Sequence, residues 1–244
     1  MPNHAKAYIS LVSAAGIAAM VYAFLDPPWS HDPFRFITYL LLSLLAATLK
    51  LRLPGLTGTM SIGFVLVLLG ISEFTLAETM LIACAGVTVQ CLWRAKPRPA
   101  LVQVLFSVSA VATSLTLAYG CCQFVRAEFH AESVSIVLAV ATCLYFVANS
   151  LLVSGVLSLV KREPLRVVWQ QCYLFAFPYY LLGGALAGLM AATGHEYGWR
   201  PPLLILPVMG MAFLFYRLYL ARLEILPAAN ARAAALHTVS SRSA

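Results

Sequence analysis

Ser133-Val-Ser-Ile-Val-Leu-Ala-Val-Ala-Thr-Cys-Leu-Tyr145-Phe-Val-Ala-Asn149-Ser-Leu-Leu-Val-Ser-Gly-Val-Leu-Ser-Leu-Val160 runs from Glu132 to Lys161 without a charged residue. A helix that crosses a bilayer needs about 20 mostly apolar residues, and this stretch exceeds that length. Its polar members are small or amide side chains, which a helix can carry at membrane depth when a neighbouring helix partners them. It therefore reads as a transmembrane helix.

Working outward, the same pattern recurs along the chain. Apolar segments lie at 7–25, 36–49, 57–72, 76–93, 100–125, 133–160, 172–193 and 202–220, eight in all. Only Glu78 and Arg217 bring charge inside them, each within about a turn of an end, where long side chains reach the interface. The segment 36–49 is short, with Arg35 and Lys50 free to snorkel outward. The segment 57–72 also falls below the usual length of roughly 17–25 residues. The fold class is thus an all-α, polytopic transmembrane helix bundle of about eight spans, or six or seven if the short segments are re-entrant.

Composition agrees. The 244 residues are 61% apolar and 10% charged, against roughly 45–50% and about 25% for soluble domains. So few charges cannot cover a soluble globule of this size. A soluble enzyme, a disordered chain and a nucleic-acid-binding domain are excluded.

The placement of the charges tests the number of crossings. Cytoplasmic loops carry an excess of Lys and Arg. With eight crossings, all 16 basic residues except Arg35, Arg126 and Arg200 fall on one side, and all nine acids except Glu163 and Glu224 on the other or at its edge. A non-crossing 57–72 would carry every later basic loop to the opposite side. The alternation favours eight crossings with both termini cytoplasmic. The net charge of +7 is then a topology signal, since no stretch interleaves basic and aromatic residues on one exposed face. The first segment reads as a retained helix, because it is long for a signal peptide and ends in Asp26-Pro27-Pro28 without a small-x-small cleavage site.

Polar groups at membrane depth point to helix packing or to function. Asn149 sits mid-segment, as a packing residue or as a ligand or gating contact. Pro178 is set to kink the seventh segment, with Tyr179 and Tyr180 following it and Gly183-Gly184 a turn later. Gly55 and Thr57 stand in Arg52-Leu-Pro-Gly55-Leu-Thr57-Gly58-Thr at the start of the short segment 57–72. Interrupted short segments mark substrate sites in transporters, and a tight turn into a helix accounts for this one equally well. Asn149, Pro178, Tyr179, Tyr180, Gly55 and Thr57 are the candidate ligand or gating residues. His31, His130 and His195, each close to an acid, fall in loops on one side and read as solvated residues, with a pH or metal sensor as the other reading. The six cysteines show no metal-type spacing; Cys121-Cys122 leave a redox-sensitive pair open.

No segment contains a His, no pair of acids lies within the membrane, and neither H-E-x-x-H nor a phosphate-binding glycine loop occurs. The expectation is a chain that is non-catalytic by itself and has no cofactor or metal.

Four stretches together resemble the N-terminal membrane region that bacterial signalling proteins carry ahead of HD-GYP phosphodiesterase or GGDEF diguanylate cyclase domains. They are Leu53-Pro-Gly55-Leu-Thr57-Gly58-Thr with Phe64-Val-Leu-Val-Leu-Leu-Gly70, Val89-Gln90-Cys-Leu-Trp93, Phe146-Val-Ala-Asn149-Ser, and Trp169-Gln-Gln with Phe177-Pro178-Tyr-Tyr. That region is similar in outline to the vitamin-uptake S-components of energy-coupling-factor transporters. The resemblance implies an integral membrane sensor or input module, with a small-molecule carrier or substrate-binding subunit as the alternative. Tyr216-Arg217-Leu-Tyr-Leu-Ala-Arg222-Leu-Glu224 is similar to the start of the linker into such an output domain, which assigns Arg217, Arg222 and Glu224 to it. Residues 1–222 then form the membrane domain and 223–244 a cytoplasmic tail. Pro227 interrupts the linker pattern and no output domain follows in this sequence. The implied partners are the lipid bilayer, a small-molecule ligand, and a cytoplasmic output protein or a second copy of the chain. No nucleic acid is expected.

Overall fold

The long uncharged stretches form helices, and the polar groups that bound them supply the stops. In the computed structural model, described for residues 2–25, 32–52, 59–61, 63–95, 98–129, 134–173, 177, 180–188 and 214, α1 covers Asn3–Leu25, α2 Pro33–Thr48, α3 Phe64–Glu73, α4 Leu76–Leu92, α5 Leu101–Phe129, α6 Val134–Lys161 and α7 Leu165–Tyr173. Residues 180–188 are helical as well. Two short strands, β1 (Lys50–Arg52) and β2 (Thr59–Ser61), pair antiparallel with Leu51 opposite Met60. Asp32 caps α2 by accepting from the Arg35 N–H at 3.0 Å, with Pro33 in the first turn. Thr75 and Glu78 form a reciprocal capping box at the start of α4.

Helices α1, α5 and α6 are long and apolar enough to cross a membrane, and α2, α3 and α4 are shorter apolar helices. The exposed faces are as apolar as the buried ones: Leu11, Leu41, Leu105 and Leu117 are among the large side chains that face outward. Water would oppose such a surface, whereas lipid tails match it. The chain is a membrane-embedded helical protein.

Contacts between named residues fix the direction of each element. Tyr8, near the start of α1, packs on Phe106 of α5 at 6.4 Å between ring centroids and donates to the Leu152 carbonyl of α6 at 3.1 Å. Ser61 of β2 bonds Gln90, close to the end of α4, at 2.8 Å. Trp169 of α7 donates to Ser150 of α6 at 3.0 Å. At the opposite end, Arg35 of α2 pairs with Glu73 of α3, the Tyr119 hydroxyl of α5 donates to the Phe74 carbonyl at 3.4 Å, and Cys122 of α5 approaches the Val137 carbonyl of α6. Successive described helices therefore alternate in direction. The start of α1, the β-ribbon and the α4–α5 and α6–α7 connections share one end.

The interfaces are lined by small residues, which let backbones approach without a large apolar driving force. Where α1 crosses α5, any side chain at Gly16 would run into the Ser109 backbone. Ser43 of α2 donates to the Ile82 carbonyl of α4 at 3.2 Å. Phe64 lies against Gly183, where a Cβ has no room. Buried hydroxyls such as Ser114 and Thr142 return their protons to carbonyls one turn back in their own helices.

Three expectations change. The segment expected as a single helix over 57–72 is instead a strand followed by the ten-residue helix α3, about 15 Å long at 1.5 Å per residue. Strand and helix together still run back along α4, from Ser61 beside Gln90 to Gly70 beside Thr79. The all-α class stands, with one small β-ribbon beside the helices. Residues 165–171, expected as a connection, belong to helix α7, which runs on into the start of the expected seventh segment. Glu78 does not reach for the interface: it is 1% exposed and folds back onto Thr75. The segment 202–220, apart from the exposed helical residue Leu214, lies outside the described residues.

Candidate functional site

Asn149 and Tyr180, far apart in sequence, meet inside the bundle. The Asn149 side chain lies within polar reach of the Tyr180 hydroxyl. Alternate helical turns bring Tyr145, Phe146 and Asn149 of α6 to this region. The Tyr180 ring centroid lies 4.4 Å from that of Phe64 in α3, 4.9 Å from Phe146 and 6.5 Å from Tyr145. Phe177 adds a ring 5.1 Å from Phe146. Gly183 gives Phe64 its place, and Gly184 sits against Thr142. One residue beyond Asn149, Ser150 receives the Trp169 indole of α7.

Three non-consecutive elements thus converge here: the short α3, the long α6 and the stretch 180–188. Rings at these separations are in contact, so they fill the junction. An amide and a phenol brought together in apolar surroundings favour one arrangement of the helices. A shift of 180–188 would part Tyr180 from Asn149 and move Gly183 away from the Phe64 ring.

A second polar cluster closes the opposite end of α2 and α3. The Arg35 guanidinium pairs with the Glu73 carboxylate, which also accepts from the Tyr39 hydroxyl at 2.7 Å. The guanidinium carbon lies 6.0 Å from the Tyr39 ring centroid and 5.9 Å from that of Phe74, and those two rings meet edge to face at 5.0 Å. Charge pairing and the faces of both rings hold the cation. This is the one ion pair among the described residues. Arg35 does not snorkel freely, as its position in the sequence suggested. Opposite charges at the far ends of two successive antiparallel segments are the signal that could have found this pair.

Of the other sequence candidates, Gly55, Thr57, Pro178, Tyr179, Arg217, Arg222 and Glu224 lie outside the described residues, as do His31, His130 and His195. Cys121 and Cys122 are free thiols, as are Cys84, Cys91 and Cys143. Among the described residues no group of three or more His, Cys, Asp or Glu side chains is placed to hold a metal ion. No family model, curated protein or solved structure matches the chain.

Proposed function

We propose that the chain is an integral membrane sensor or input module of bacterial signal transduction, non-catalytic by itself. In this reading it lies in the cytoplasmic membrane with about eight crossings and both termini inside. The observation that carries it is the Asn149–Tyr180 contact at the junction of α3, α6 and 180–188. A stimulus at the outer face or within the bilayer shifts the population between two packings of this junction. The seventh segment passes the shift to 202–220, and Arg217, Arg222 and Glu224 pass it to a cytoplasmic output protein or a second copy. The resemblance to membrane regions of HD-GYP and GGDEF proteins supports the same reading.

A carrier of small molecules is the second reading, and the interrupted path of β2 and α3 favours it. A segment that is only partly helical at membrane depth is how transporters build solute sites.

Two measurements on the full-length protein separate them. Native mass spectrometry of wild type and Asn149→Ala asks whether a co-purified small molecule depends on the junction; sensing predicts an adduct lost in the variant. Proteoliposomes loaded with that molecule then ask whether it crosses. Retention supports the sensor, and protein-dependent flux supports the carrier and overturns it.

A further inference from the structure

The α4–α5 and α6–α7 corners each hold an arginine in the left-handed region, through different turns: Arg162 directly follows α6, whereas Arg94 follows the extended cap residue Trp93 in a turn closed by the Ala95 N–H on the Leu92 carbonyl. Arg94 has φ 46° and Arg162 has φ 60°, the only non-glycine residues in the left-handed region among those described. That region is where helices end on glycine, because a Cβ is strained there. Both corners carry arginine instead. Both close at the same end of the bundle, since Tyr8 meets both Phe106, near the start of α5, and Leu152, in the second half of α6.

The helix dipole favours a cation near a helix C-terminus, and Arg162 directly follows the last residue of α6. The α6 corner is held firmly: the Glu163 N–H donates to the Ser158 carbonyl at 3.2 Å, and the Ser158 hydroxyl to the Glu163 carbonyl at 2.6 Å. Arg162 sits at its apex, with Lys161 and Arg166 exposed beside it. Glu163 makes no ion pair with any of the three among the described residues.

Apolar side chains flank both corners. The Arg94 guanidinium carbon lies 5.8 Å from the centroid of the Trp93 ring, which is 47% exposed. Leu165 and Val167 are exposed on either side of Arg166. Tryptophan beside arginine, and apolar residues interleaved with basic ones on a short surface helix, suit the level where acyl chains meet headgroups. Arginine forks match phosphate oxygens.

We propose that the Trp93–Arg94 corner and the Lys161–Arg166 corner together bind the phosphodiester headgroups of anionic membrane lipids. The proposal rests on membrane embedding and on the two corners, not on the sensor reading. Arg94→Gly and Arg162→Gly test it, because glycine suits both backbone positions and the variants keep their fold. The full-length protein is placed in nanodiscs of mixed phosphatidylglycerol and phosphatidylcholine, and the phosphatidylglycerol retained on release is counted by native mass spectrometry. Each arginine removed is expected to lower apparent affinity for phosphatidylglycerol about fivefold. Phosphatidylcholine retention, and the Arg126→Gln control at the other end, should stay unchanged. Inorganic phosphate at millimolar concentration should not compete. Equal phosphatidylglycerol retention by wild type and the double glycine variant overturns the proposal, and so does displacement by inorganic phosphate alone, which would mark a site for the free ion.

Discussion

Arg35 in the first turn of α2 and Glu73, the last residue of α3, form an ion pair across 38 positions of sequence. The pair ties the short helix to its longer neighbour at the end away from the β-ribbon. Because α3 has only ten residues, it offers little interface of its own, and a polar clamp at its end matters accordingly.

Removing one partner leaves the other charge partly buried. Glu73→Gln or Arg35→Ala is expected to destabilise the folded protein by about 1–3 kcal/mol, below the roughly 3–5 kcal/mol of a fully buried pair because Arg35 is partly exposed. Denaturation in mixed micelles measures this. The swap Arg35→Glu with Glu73→Arg should recover part of the loss, and no recovery would show that the two side chains do not pair.

The glycines sort by what surrounds them. Gly16→Ala drives a methyl into the Ser109 backbone, so α1 and α5 must separate, at about 1–3 kcal/mol. Gly120, on the same α5, has nothing within 4 Å of where an added methyl would lie, and Gly120→Ala should be neutral or stabilise by up to about 1 kcal/mol. Thermal melts of the two variants should therefore move apart. Similar losses at both positions would contradict the α1–α5 crossing.

Asn149→Ala and Tyr180→Phe should prove non-additive. Polar contacts between membrane helices couple by about 0.6 kcal/mol on average and by up to about 1.7. A double-mutant cycle of unfolding free energies reads the coupling, and additive losses would show that the two side chains act separately.

Thr75 and Glu78 support one another at the start of α4. Thr75→Ala should lower stability by about 1 kcal/mol. Glu78→Gln, which retains the side-chain acceptor of the box, should lose less than Glu78→Ala in the same melt. Equal losses would mean that the charge of Glu78, not the acceptor of the box, holds this turn.

Much of this arrangement can be read from the chain. Long uncharged stretches bounded by Lys, Arg or Pro form α1, α5 and α6 within a few residues, because backbone satisfaction in an apolar medium leaves the helix as the local solution. The run ending at Ser72 is harder. An apolar stretch without periodicity reads equally as strand or helix, and pairing with Lys50–Arg52 decides its first part. The helix α7 is concealed because it is only nine residues long and carries Arg166, Gln170 and Gln171, so it makes no long uncharged apolar stretch. Asn149 and Tyr180 are each visible as polar groups at membrane depth. Their meeting is not, since it depends on how 180–188 crosses α6. The Arg35–Glu73 pair depends likewise on two segments lying side by side.

The alternation of helices, which places the basic corners at one end, underlies everything above. Dual reporters fused after Arg98 and after Glu128, at opposite ends of α5, test it most directly. A cytoplasmic signal after Arg98 and an external signal after Glu128 is the predicted result. Signals from the same side at both positions, or an external signal after Arg98, would contradict it.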